Sequence, residues 1–240
     1  MQCKNDRDGG MRLRSLAVLF CFVGILATPS SAQTANHYFT SLFGMHVTGY
    51  QGWFSCPGDR TGLGWRHWFQ GNPPSPPKLA IDLWPDTSGF DQDELCPTGL
   101  TLPSGGQAYL FSAENPKTVA RHFRWMKDYG IDAAAVQRFE SDLGPKPVKH
   151  VDIVLQNIIA AAKATGRGFF IMYDVSGSDP EMVEKVEEDW NKLTNELNIT
   201  KEPSYCTTME SLWLRFGERD SMIAVSPLSN LRPSFIFLET

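Results

Sequence analysis

From residue 115 to residue 197 the chain alternates strand-like and helix-like segments, and this alternation constrains the fold more than any other feature. Asn115-Pro116 sets an N-capping residue before a proline at the first helical position. Val119, Phe123 and Met126 then repeat along one helical face, and Gly130 closes the helix. Residues 131–139 (IDAAAVQRF) read as a strand. Residues 150–165 read as a helix with Val151, Leu155, Ile158 and Ala162 on one side, ended by Gly166. Residues 169–175 (FFIMYDV) are apolar on both sides, as in a parallel strand covered by helices. Ser178-Asp179-Pro180 starts a third helix with a stripe of Met182, Val183, Val186, Trp190, Leu193 and Leu197. Residues 46–54 supply an earlier strand. Three successive strand–helix units imply a parallel α/β sheet. GYQGWF after the first strand lacks the G-x-G-x-x-G spacing, which disfavours a dinucleotide-binding fold.

In a (β/α) barrel, polar groups at the C-terminal strand ends line the site. Here those ends carry Gln51 and Trp53, then Gln137, Arg138 and Glu140, then Tyr173 and Asp174. Four of the seven tryptophans, Trp53, Trp65, Trp68 and Trp84, lie within residues 49–86, among Gln51, Arg66, His67, Asp82 and Asp86. Aromatic faces beside carboxylates and amides suit a sugar, whose C–H faces stack on rings while its hydroxyls hydrogen-bond. Burial of the same rings in a core is the competing reading. Residues 55–113 read as a long, ordered, functional loop rich in turn signals.

Residues 11–32 read as a secretory signal: basic Met11-Arg12-Leu13-Arg14, an apolar run over 16–26, and Ser30-Ser31-Ala32 as the cleavage site. Either Met1 or Met11 is then the start. The implied location is secreted and extracellular, with no membrane association after cleavage. Removing the signal takes Cys3 and Cys21 with it. Cys56 and Cys96 are then a plausible disulfide pair, and zinc is disfavoured for want of C-x-x-C or paired-His spacing. Asn198-Ile199-Thr200 is an N-glycosylation acceptor. The net charge of −5 and the lack of a basic run interleaved with aromatics argue against nucleic acid. No cofactor or metal is expected, and the expected partner is a carbohydrate.

The motifs GYQGWFSCPGD, GWRHWF, DLWPD, YLFSAENPKTVARHFRWMKDYGID, QRF and IMYDVSG resemble secreted proteins related to glycoside hydrolase families 71 and 99. Those families hold endo-α-1,3-glucanases and endo-α-mannosidases, and some relatives are labelled xylosidase/arabinosidase. The resemblance spans residues 38–205 and implies an α/β fold, a partial (β/α)8 TIM-type barrel of about three N-terminal units, where a full barrel takes about 250 residues. It implies a carbohydrate-active protein on α-linked polysaccharide or glycan. The catalytic carboxylates of family 99 lie in later barrel segments that nothing here matches, so no catalytic residue is carried over. This implies an incomplete, inactive hydrolase, or a non-catalytic carbohydrate-binding protein.

Among the strand-end and loop carboxylates, Asp82, Asp86, Glu140 and Asp174 are candidates for the two that glycoside hydrolysis needs. Asp174 is the best placed catalytic candidate; holding a neighbouring loop or Arg138 is its alternative role. Asp82 and Asp86 suit sugar hydroxyls or a cation, with helix capping or turn formation around Pro85 as the competing role. The substrate-binding set is Gln51, Trp53, Trp65, His67, Asp82, Trp84, Asp86, Gln137, Arg138, Tyr173 and Asp174. The organisation read from the chain is an extension and signal over 1–32, the partial barrel over 38–205, and an aberrant tail over 206–240. The tail shows no helix stripe and no strand-turn logic. Shifting its frame at the last base of the Cys206 codon gives a segment compatible with H-H-N-G-K-P-V-V-A, whose Gly is forced by Met209-Glu210. A lost base or shifted splice site near codon 206 is the expectation, and a natural short isoform the alternative.

Overall fold

The computed structural model describes residues 39, 41–70, 78–144, 147–174, 181–206, 222–226 and 234–237. The chain divides into two units, Met1–Thr34 and Ala35–Thr240. The first, which carries the signal reading, lies outside the described residues, as do Ser178-Asp179-Pro180. In chain order the second unit runs β1 (Val47–Tyr50), β2 (Leu95–Thr101), β3 (Gln107–Phe111), α1 (Pro116–Asp128), β4 (Ala133–Phe139), α2 (Pro147–Thr165), β5 (Gly168–Asp174), α3 (Met182–Asn191), β6 (Met222–Ser226) and β7 (Ser234–Phe237).

α1 forms where its cap and apolar spacing place it, and α2 ends where expected but begins at Pro147, three residues before the expected start. Asn115 accepts the Lys117 N–H at 3.0 Å and Pro116 opens α1. Gly130 (φ +73°) and Gly166 (φ +65°) take the left-handed conformation that ends each helix. Val119, Phe123, Leu155, Ile158 and Ala162 are all sealed from solvent. The stripe holds through Val186 and Trp190 of α3 and Leu193 of the helical segment that continues it (Lys192–Glu196), whereas Val183 is exposed.

β1, β4 and β5 are parallel and adjacent, with Tyr50 opposite Val136 and Arg138 opposite Tyr173. Every residue of β5 is buried, which is why its sequence is apolar on both faces. The Tyr50 ring packs tilted against Phe123 of α1 at 5.7 Å, and Arg138 and Tyr173 reach Asp189 of α3, so the crossover helices cover one face of the sheet. Consecutive strands lie side by side with their helices on one side, without the order reversal of a doubly wound sheet. Among the described residues this is a three-stranded parallel sheet, extended by the antiparallel β6 and β7.

Two expectations are corrected here. Residues 55–113 are not all loop: β2 and β3 form an antiparallel hairpin that shifts register between Pro97 and Thr101 and turns through Leu102–Gly106 hydrogen bonds. Its Pro and Gly residues mask the strand pattern, because they sit at the bulge and the turn. The tail also contains strands. β6 pairs antiparallel with β5, and β7 with β6. MIAVS and SFIF are short apolar runs able to pair as a hairpin.

His122 on α1 is enclosed by Tyr50, Phe90, Phe111 and Trp125, and the Tyr50 hydroxyl lies 3.0 Å from its Nδ1. Burial pulls its pKa down to about 4; Glu94 opposes the shift and Arg121 reinforces it. The unfolded chain therefore binds a proton at pH values where the folded chain does not. The stability tied to neutral His122 is complete above pH 6.5 and falls as pH drops toward 4, by up to about 3 kcal/mol. His122→Asn keeps an acceptor for Tyr50. It is expected to flatten the loss between pH 6.5 and 4 in urea unfolding compared with the parent chain.

Candidate functional site

The pleat sorts the strand-end residues. Successive side chains of a strand point to opposite faces, so Gln137, Phe139, Met172 and Asp174 share one face while Arg138 and Tyr173 share the helix-covered one. On the first face the Gln137 amide donates to Asp174 Oδ2. Both are buried, Asp174 to 3% exposure. Arg138 and Tyr173 are corrected out of the sugar-binding set. Arg138 is 1% exposed and donates to Asp189 through Nε (2.9 Å) and Nη2 (2.5 Å), and to Asp152 at 3.0 Å. The Tyr173 hydroxyl donates to Asp189 at 2.6 Å. Burial, then the Asp189 charge, holds that hydroxyl protonated far above the ordinary phenol range. Both residues serve the helix–sheet interface.

The aromatic wall beside Asp174 is built by the turn after β1. The chain passes α2 so closely at Gly52 that a Cβ there would lie 2.5 Å from Val154 Cγ1, which is why the position is a glycine. Trp53 then lies 4.8 Å from Phe139, ring to ring, and stacks on His67 at 4.8 Å with 23° between planes. Ser55 and Arg66 bridge backbone to backbone, and the Ser55 hydroxyl donates to Gly64 O at 2.8 Å. This clasp presents Arg66 and His67 to the wall. Arg66 Nη2 donates to Asp142 Oδ1 at 2.6 Å, across 76 residues of sequence. His67 holds the left-handed backbone conformation (φ +61°), uncommon for a residue with a side chain. Burial and then Arg66 push its pKa below the usual imidazole value, against the pull of Asp142. Sequence reasoning did not select Phe139 or Asp142 and left Arg66 out of the binding set.

The remaining predicted residues are placed elsewhere or at the margin. Gln51 is exposed at the end of β1. Trp65 packs edgewise on Phe69, and Trp84 donates its indole N–H to Tyr109 O at 3.2 Å; both belong to a second apolar cluster with Cys56, Trp68 and Leu110. Trp65 is buried core and Trp84 is half-buried against it, because the hairpin gives both rings a surface to pack on. Asp82 is exposed, and Asp86 accepts the Ser88 N–H at 2.9 Å in a turn, which lowers its pKa. That is the turn role Asp favours beside Pro85. Glu140 is buried and takes Lys185 Nζ at 2.7 Å. Cys56 and Cys96 are joined, with Cα atoms 6.4 Å apart. Asn198 is exposed, with φ +51°.

Asp59, Glu114 and His150 bring three ligand-type atoms within 4.8 Å of one another. All three groups are engaged by the protein. His150 faces Glu114 Oε1 at 3.0 Å and Gly52 O at 3.1 Å. Glu114 Oε2 accepts the Arg60 N–H at 2.8 Å, and Asp59 accepts from Thr61, Ser112 and two backbone N–H groups. The Arg60 guanidinium lies 3.8 Å from Glu114. This set is a filled hydrogen-bond network that fixes the Cys56 loop, and it does not fit a cation. Beside it, a cavity of about 340 Å³ opens between Asp59, Arg60, Glu94 and the disulfide. No helix among the described residues is long and apolar enough to cross a membrane.

No protein-family model matches the chain, and no curated protein matches it. Two solved structures of the GH99 endo-alpha-mannosidase from Bacteroides thetaiotaomicron, one in complex with bis-tris propane, are similar to it at TM-score 0.40 and 14% and 18% identity. Each likeness covers 68% of this chain, and this chain spans 38% and 42% of those chains.

Proposed function

We propose that this is a secreted glycoside-hydrolase-like protein whose described residues supply a binding face for an α-linked polysaccharide or glycan. The observation that carries the reading is the Trp53 ring, stacked on His67 and packed on Phe139, beside the polar groups of Gln137, Asp174, Arg66 and Asp142. An aromatic plane next to amide, carboxylate and guanidinium groups matches the two kinds of surface a sugar ring presents. The disulfide and the exposed Asn198 in an N-x-T sequon support export.

Non-catalytic carbohydrate binding is the second reading. It is favoured by Asp174 being buried and hydrogen-bonded to Gln137, where a reacting carboxyl needs access to its substrate. Calorimetric titration with α-linked gluco- and manno-oligosaccharides tests the shared part. Trp53→Ala is expected to weaken binding about tenfold, the loss of a central aromatic anchor. Equal binding by parent and variant would overturn the face. Asp174→Asn separates the two readings. Loss of reducing-end release with binding retained assigns Asp174 to catalysis, whereas binding without any release by the parent chain assigns the face to recognition.

A further inference from the structure

Three buried side-chain atoms around the aromatic wall have no hydrogen-bond partner among the described residues: Arg66 Nη1, His67 Nε2 and Asp142 Oδ2. A buried polar atom left unpaired costs about 1–3 kcal/mol, so three in one place call for an explanation. Arg66 and Asp142 face each other, yet they form a single contact, Nη2 to Oδ1 at 2.6 Å, in place of the two-pronged fork the pair could make. One donor and one acceptor are thereby left over on the same ion pair. His67, which stacks on Trp53 next to them, sits in a backbone conformation that costs about 1–2 kcal/mol for a residue with a Cβ. Strain and unpaired groups gathered at one place are the mark of a site organised for a ligand.

The chemistry of the three atoms narrows the ligand. An unused guanidinium N–H donates, an unused carboxylate oxygen accepts, and an imidazole nitrogen does either. A hydroxyl both accepts and donates, so it satisfies a neighbouring donor and acceptor together. A carboxylate or phosphate only accepts, and it would meet the Asp142 charge. A metal cation would meet the Arg66 charge. From these contacts we infer that Arg66, His67 and Asp142 form a specificity seat that holds neutral hydroxyls of a sugar ring stacked on Trp53, and that turns away sugars bearing a carboxylate there. The inference rests on the carbohydrate reading above and adds the residues that select among sugars.

The test is calorimetric titration of the 240-residue chain with maltotriose, α-mannotriose and trigalacturonate, repeated with Asp142→Asn, Arg66→Met and His67→Gly, and with a melting curve for each protein. The parent chain is expected to bind a neutral trisaccharide at least tenfold tighter than trigalacturonate. Asp142→Asn and Arg66→Met are each expected to lose about tenfold on the neutral ligand and to narrow that preference. His67→Gly guards against misfolding as an explanation, because glycine takes φ +61° without strain: it should melt no lower than the parent and still lose about tenfold in affinity. If the neutral ligand binds the parent and all three variants alike, the seat holds a trapped water only; the inference falls while the carbohydrate reading stands. Tighter binding of trigalacturonate overturns the seat in the same way. Absence of binding to any trisaccharide, with Trp53→Ala indistinguishable from the parent, overturns both.

Discussion

Asp189→Asn is expected to cost about 3–5 kcal/mol of folding stability, the loss that follows when one partner of a buried ion pair is removed. The Arg138 and Asp189 side chains are 1% and 4% exposed, so neither falls back on water. Asp189 accepts both guanidinium bonds and the Tyr173 hydroxyl, and it ties β4, β5 and α3 together through one carboxylate. Burial lowers the pKa of Arg138, but the Asp189 charge opposes this and, with Tyr173 and Asp152, leaves it raised. Taking that charge away leaves Arg138 cationic with Asp152 alone, and Asp152 is shared with Lys192. A change of this size lowers Tm by roughly 10 °C in a domain of this length. Urea unfolding followed by far-UV circular dichroism measures it. The Arg138→Met/Asp189→Leu double variant is expected to recover most of the loss, since apolar replacement of a whole buried pair is often neutral. A loss below 1 kcal/mol for Asp189→Asn would mean that the network does not form in solution.

The same pair explains where the sequence misleads. Strand, helix and parallel winding were legible because apolar spacing is a local property. Leu155, Ile158 and Ala162 on α2, and the uninterrupted burial of β5, follow from it directly. The end of β4 reads Gln137-Arg138-Phe139, and a one-residue step there moves a side chain from one face of the sheet to the other. Gln137 and Asp174 therefore belong to the wall, while Arg138 and Tyr173, equally polar and equally near the strand ends, belong to the helices. Trp65 and Trp84 were misplaced for a different reason. Their burial depends on the β2–β3 hairpin, whose Pro97 and Gly99 fall where its ladder is interrupted and disguise its strands as loop. Asp142 has no local signature, because its meaning comes from Arg66, 76 residues earlier in the chain.

Reduction of Cys56–Cys96, or Cys96→Ser, is expected to remove about 4 kcal/mol, the chain-entropy value for a closed loop of some 40 residues. The loop it closes contains Arg66, His67 and Trp84, and its small core of Trp65, Trp68, Phe69 and Leu110 is separate from the core around β4 and β5. Loss of the link should therefore loosen this region before the parallel α/β sheet. Tryptophan emission, to which four of the seven tryptophans (Trp53, Trp65, Trp68 and Trp84) contribute from in or beside this region, is expected to shift red at a lower temperature than the helical circular dichroism signal falls. In the oxidised protein the two transitions should lie closer together. Because the Ser55–Arg66 clasp lies immediately beside Cys56 and presents both Arg66 and His67, the reduced protein should also lose oligosaccharide affinity while its helices remain folded. Coincident transitions with and without reductant, at an unchanged midpoint, would show that the clasp and the second core hold the loop without the disulfide. In that case the energy that keeps His67 at φ +61° must come from packing and from the Arg66–Asp142 pair.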